Sequence, residues 1–203
     1  DHSQVRLEET RLLISHALSL SVEKAGIYSL ELAPQPGLTV ADVKGDGVED
    51  WKVVEGPVAD RKTLRVSFNS RVLGARNIEV HLEQALKEFP SQFLALPLRV
   101  AGATNETARI GVAAALGIAL KTAGDLTGLR EIPVSALQRA ADGMPAARSD
   151  EQLAYSADQG DWRLTVAAER LPARIVAGGF DLVTVGDGLV GGSATVRYGL
   201  INQ

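Results

Sequence analysis

Glu79, His81 and Glu83 sit two residues apart in an extended stretch, so they share one strand face at steps of about 6.6 Å. An imidazole between carboxylates offers two ligands to a divalent ion, although Zn²⁺ needs a third donor from elsewhere. Ile78, Val80 and Leu82 alternate with them, as in a half-buried strand with one wetted face. The solvated face is the preferred reading. In the loop Lys44-Gly45-Asp46-Gly47-Val48-Glu49-Asp50, the carboxylates of Asp46, Glu49 and Asp50 crowd a glycine turn. It lacks the D-x-D-x-D-G spacing of a calcium loop, and Gly and Asp also suit a tight turn. Whether residues 46–50 take calcium stays open. Gly186-Asp187-Gly188-Leu189-Val190-Gly191 matches G-x-G-x-x-G behind a strand, but a strand pattern follows it where the dinucleotide motif needs a helix N-terminus. A glycine-rich β-turn is the better reading.

His16 shares parity with Leu18 and Leu20, which places it at the core edge with its imidazole hydrogen-bonded. His2 is terminal. No histidine accompanies a serine in a nucleophile-elbow pattern, yet triad partners can be far apart in sequence. Trp51 and Trp162 fall on the faces of Val53 and Leu164, so core positions suit them better than a sugar-stacking platform. No catalytic, cofactor-binding or metal-binding residue is assigned, and no cofactor is expected.

The elements carrying these residues read as strands. From Ile27 to Val54, Tyr28, Leu30 and Leu32 alternate with polar residues, Pro34-Gln35-Pro36-Gly37 breaks the run, and Leu38 and Val40 resume it. Gly45-Asp46-Gly47 then turns the chain toward Trp51 and Val53, so the stretch predicts a meander. Val5 to Val22 reads as one long strand, or two, with a bulge near Glu8-Glu9-Thr10 reconciling a change of parity. Leu64 to Phe68 and Ile78 to Leu82 predict a hairpin turning at Gly74. Gln84 to Phe89 suggests a helical turn, and Arg109 to Lys121 two small-residue strands. Val134 to Ala141 predicts a short helix, and Gly143 to Asp150 is linker-like and a possible sub-boundary. Trp162 to Ile201 predicts a closing meander turning at Gly178-Gly179 and Gly186-Asp187-Gly188. Its last strand, from Ala194, is expected inside the sheet with a buried face, next to an apolar patch around Leu200 and Ile201.

Composition narrows the functions. The 203 residues have no cysteine, which excludes disulfides and thiolate chemistry but leaves the compartment open. Residues 1–100 carry 12 basic and 14 acidic side chains and residues 101–203 carry 9 and 11, or −2 each. This even, mildly acidic charge argues against a nucleic-acid footprint. The longest apolar run, Ile110 to Leu120, is too short for the roughly 20 residues of a spanning helix.

Ile27 to Val54 and Thr63 to Phe68, and more loosely Trp162 to Gln203, resemble the β-rich modules of large bacterial cell-envelope proteins. The shared texture is Y-x-L-x-L-x-P-x-x-G-L-x-V followed by V-x-D-W-x-V and L-x-V-x-F. These motifs are structural, and the resemblance carries over no catalytic residue. It implies an extracytoplasmic setting, in the periplasm or at the cell surface. Ala194 to Gln203 (ATVRYGLINQ) echoes Ala17 to Gly26 (ALSLSVEKAG), so the chain is expected to be one unit of a serial array.

The expected fold is all-β: a large β-sandwich of two packed, mostly antiparallel sheets with one short helix, residues 1–203 forming one module of a larger protein. The leading functional reading is a non-enzymatic structural or protein-interaction module. Its partners would be neighbouring modules of the same chain or other envelope proteins, without nucleic acid or a direct membrane span. A carbohydrate-binding module needs an exposed aromatic pair. An envelope hydrolase needs His81 or His16 beside carboxylates at the bottom of a cleft.

Overall fold

Residues 1–55, 62–137, 150–172 and 174–201 are described by the computed structural model. The alternating runs form strands β1 (His2–Leu7), β2 (Arg11–Ala33), β3 (Thr39–Gly45), β4 (Val48–Glu55), β5 (Lys62–Ala85), β6 (Gln92–Ala95) and β7 (Arg99–Val100). There follow β8 (Ala108–Ala114), β9 (Ile118–Thr122), β10 (Arg130–Glu131), β11 (Glu151–Ala157), β12 (Leu164–Arg170), β13 (Arg174–Gly186) and β14 (Leu189–Ile201). The fold is all-β. Of the helix expected over Val134 to Ala141, the described residues form a single 3-10 turn, Val134–Ala136, directly after Pro133. Residues 138–141 of that expected helix, and 143–149 of the linker-like stretch, lie outside the described residues.

Three corrections concern how runs join. Near Glu8-Glu9-Thr10 the chain reverses, with the Glu8 amide donating to the Arg11 carbonyl at 2.8 Å, and β1 pairs antiparallel with β2 from Leu7↔Leu12 to His2↔Ala17. A hairpin, not a bulge, explains the parity change. Conversely, Gly74 does not turn the chain, because β5 runs through it as one strand of 24 residues. Gly74 sits instead at a left-handed kink, at the edge of a register shift between β2 and β5. Residues 84 and 85, expected in a helical turn, complete β5, and no helix follows.

The long pair β2–β5 therefore has two arms. Arg11↔Ala85 to Val22↔Gly74 forms one, and Ser29↔Ser67 to Leu32↔Leu64 the other. The expected meander is replaced by a different arrangement. β3 lies along one arm of β5 (Val40↔Leu82, Val43↔Val80), and β4 along the other (Trp51↔Val66, Val53↔Leu64). The main sheet is ordered β10-β11-β8-β1-β2-β5-β3, with β4 also on β5 and β7 on β2. Its pairings are antiparallel except β1 with β8.

Directly opposed residues share a face, so the register shows which face is buried. Val5, Ile14, Leu82 and Val112 lie in one row and Leu7, Leu12 and Ala114 in the next, all buried. A three-stranded sheet, β6-β12-β9, contributes Phe93, Ala95, Leu164, Val166 and Leu120 to the core. Tyr155 of β11 and Thr122 of β9 join the two sheets through a 2.8 Å hydroxyl bond, and the Leu120 amide donates to Gln152 Oε1 at 3.0 Å. Burial raises the Tyr155 phenol above its usual pKa, against the pull of the Thr122 bond. Tyr155→Phe is expected to cost about 1 kcal/mol, the net worth of one such bond, measured as a shift in urea midpoint at unchanged m-value.

The chain separates into two compact units. One comprises Asp1–Ala115 with Leu120–Ala168, and holds the core described above; the other comprises Leu116–Ala119 with Glu169–Gln203. Most of the second is the β13–β14 hairpin, in register from Arg174↔Ile201 to Gly186↔Leu189. Gly178-Gly179 does not turn it. The turn is the two-residue Asp187-Gly188, with Gly188 at φ 77°, the left-handed geometry of tight hairpins.

Candidate functional site

His16 is buried on β2, opposite Ser3 of β1. The Ser3 hydroxyl lies 3.0 Å from His16 Nδ1 and donates to Asp1 Oδ2 at 2.9 Å, and Nδ1 lies 3.1 Å from that same oxygen. A carboxylate only accepts, so Nδ1 carries the proton. A serine relay needs the hydroxyl on one ring nitrogen and the acid on the other. Here both crowd Nδ1, and Ser3 and His16 are closed to substrate at 0% and 2% exposure. Burial, with the Asp1 amine charge adding, lowers the His16 pKa to about 3. The imidazole is neutral, and the group is a polar knot inside the sheet. His2 is buried as well, and burial pushes its pKa down.

His81 lies on the opposite, open face. Ser15 Oγ is 3.0 Å from its Nδ1, and Glu79 Oε2 is 3.8 Å from Nε2, beyond hydrogen-bond reach. Glu83 shares the strand face, as its spacing predicts, but none of the three lines either large cleft. In the 44–50 loop, Asp46 and Gly47 make the β3–β4 turn, and Lys44 pairs with Asp42 at 2.6 Å rather than with the loop's carboxylates. The Lys44 hydrogen bond holds the Asp42 carboxyl below its usual range and raises Lys44 in turn. Among the described residues, no group of three or more His, Asp or Glu side chains is placed to hold a metal ion.

Two clefts indent the larger unit. One, of about 640 Å³, follows the bend of β2 at Leu18 to Lys24 and the segment 97–108. Of its carboxylates, Asp1, Glu23 and Glu106, the last accepts from the Val100 amide at 3.2 Å and pairs with Arg99 Nε at 3.1 Å. The other, of about 740 Å³, is walled by Pro34, Pro36, Leu96 and Trp162. Among the described residues neither is lined by a histidine, so His81 and His16 do not stand beside carboxylates at the bottom of either cleft. Trp162 is buried, as its parity predicts, whereas Trp51 is only half-buried.

The large exposed apolar surface lies on the β13–β14 ribbon. Ile175, Val183, Val185, Val190, Val196 and Tyr198 share one face by register, and all are 49–75% exposed. Val176, Phe180, Leu182 and Leu189 lie exposed on the other. The expectation that the strand from Ala194 has a buried face inside a sheet is corrected: β14 pairs only with β13 among the described residues. The side chains of Leu200 and Ile201, where the patch was expected, lie outside the description. Phe180 and Tyr198 fall on opposite faces, so they do not form the aromatic pair a sugar platform needs. Sequence reasoning missed this surface, although its signal was present: apolar residues of both parities, Phe180 and Leu182 with Val183 and Val185.

No protein-family model matches the chain, and no curated protein matches it. Among solved structures it is similar to the M1 zinc metallopeptidase from Deinococcus radiodurans, at 12% identity and TM-score 0.43, over 98% of this chain and 46% of that one. It is also similar to native leukotriene A4 hydrolase from Saccharomyces cerevisiae, at 10% identity and TM-score 0.42, over 87% of this chain and 29% of that one. The chain spans less than half the length of either, and likenesses this faint carry no statement about activity.

Proposed function

We propose that the chain is a non-enzymatic structural and protein-interaction module of a larger extracytoplasmic protein, with the β13–β14 ribbon as its docking surface. The observation that carries this reading is the ribbon itself. A two-stranded hairpin is marginal in water unless a further strand or layer covers it. This one is 13 residues per strand and exposes ten large apolar side chains, more than a monomer's scattered surface residues. The cell-envelope setting rests on the resemblance of Ile27 to Val54. No helix among the described residues is long and apolar enough to cross a membrane, which says nothing of β-barrels.

Hydrogen exchange tests the reading. In the dilute 203-residue chain, amides of 175–199 are expected to exchange with little protection. Within a longer natural polypeptide carrying the flanking sequence, or with its envelope partner bound, they should slow at least tenfold. Equal rates in all these states would show that nothing docks on the ribbon.

A further inference from the structure

The ribbon's two faces differ in one respect that its apolar character hides. The face of Ile175, Val183, Val185, Val190, Val196 and Tyr198 carries a single charge, Asp181, near mid-length opposite Ala194. The reverse face carries Arg197, opposite Gly178, among Val176, Phe180 and Leu182. Both charged side chains are exposed, and neither is engaged in an ion pair among the described residues.

We propose that the ribbon stacks on the ribbon of a second copy of this chain, the Asp181 face of one against the Arg197 face of the next. This inference rests on the docking reading above and names its occupant. Three observations favour it. The first is area: the six side chains on the Asp181 face present on the order of 700 Å², close to the roughly 800 Å² each partner gives to a stable interface. The second is charge. A two-fold pairing of Asp181 faces brings two carboxylates together near the centre of an apolar contact, where unpaired charge is costly. Stacking front to back puts an aspartate opposite an arginine instead. Asp181 and Arg197 stand three residues apart along the ribbon, so a slide of about 10 Å aligns them. The third is coverage. Two-fold pairing leaves the face of Phe180 and Leu182 in water, whereas front-to-back stacking covers both. Such a contact is heterologous and does not close on itself, so it builds a serial stack.

The test is sedimentation velocity over a hundredfold concentration range on the full 203-residue chain and three variants. The wild-type chain is expected to grow past a dimer as concentration rises. Asp181→Arg and Arg197→Asp should each weaken association at least tenfold, because each sets like charges face to face. The double reversal, Asp181→Arg with Arg197→Asp, should recover association to within about threefold of wild type. Circular dichroism of each variant checks that the strands remain, and Asp181→Asn with Arg197→Gln replace any reversal that unfolds. A chain that stays monomeric, or stops at a dimer, overturns the proposal. So does association indifferent to the single reversals, which would mark edge-to-edge strand pairing, and so does a double reversal that fails to rescue. A monomeric chain whose ribbon amides still slow in the longer polypeptide overturns the stacking and leaves the docking reading intact.

Discussion

Between pH 7 and pH 4 the fold is expected to lose about 3 kcal/mol of stability through His16 alone. The imidazole is held neutral, with a folded pKa of about 3 against 6.5 in the unfolded chain. Its folded value is depressed, so the unfolded chain binds the proton more readily over the whole window between them. The stability this histidine contributes is full above pH 6.5 and drains away as pH falls toward 3. His2, lowered in the same direction by burial, adds to the loss. The cause is structural: the ring is buried on β2, the strand between β1 and β5, and its polar contacts, Ser3 and Asp1, satisfy Nδ1 without compensating a second proton. Urea unfolding at pH 7, 5.5 and 4 measures the slope, and His16→Gln should flatten it by about the same 3 kcal/mol. A variant that keeps the wild-type slope would show that other groups cause the acid sensitivity.

Gly128→Ala is expected to cost about 3 kcal/mol, or roughly 6–12 °C in Tm for a chain of this length. Gly128 adopts φ 69°, a conformation that costs an L-residue about 1–2 kcal/mol. The added methyl would also overlap the carbonyl of Asp161, beside Trp162. The backbone there is tied by the bridge between Thr127 and Arg163, with the Arg163 amide donating to Thr127 at 3.1 Å, so it cannot yield freely. Gly124→Ala is the internal control. Gly124 has nearly the same φ, 74°, but nothing within 4 Å of a Cβ, so it should cost only the conformational part. Equal costs at the two sites would show that the 161–163 segment moves away without penalty. A larger cost at Gly128 would also alter the wall of the cleft that Thr127, Asp161 and Trp162 share.

Both results depend on pairings that lie far apart in the sequence, and this divides what the sequence determined from what it left open. Alternation at period two is a local property, so Leu64 to Phe68, Ile78 to Leu82 and Leu164 to Ala168 were legible as strands, and the all-β class with them. Turn chemistry is local too, which is why Asp187-Gly188 was legible as a hairpin turn and the glycine motif around it as no dinucleotide loop. The parity of His16 placed it with the core, and there it lies.

What a strand pairs with is not local. Gly74 and Gly178-Gly179 have the composition of turns, yet the chain continues through both without reversing, kinked at Gly74, because long partners, β2 and β14, pair with the backbone on either side. The parallel pairing of β1 with β8 joins residues more than a hundred apart and leaves no mark in either segment. The polar knot around His16 needed the β1–β2 hairpin to bring Ser3 and Asp1 to one ring nitrogen. The ribbon shows the limit most clearly. An apolar parity states that a face needs cover, and only the tertiary structure decides whether the chain supplies it. For the apolar rows of β1, β2, β5 and β8 it does. For β13 and β14, large apolar side chains on both faces are exposed, and among the described residues each strand pairs only with the other.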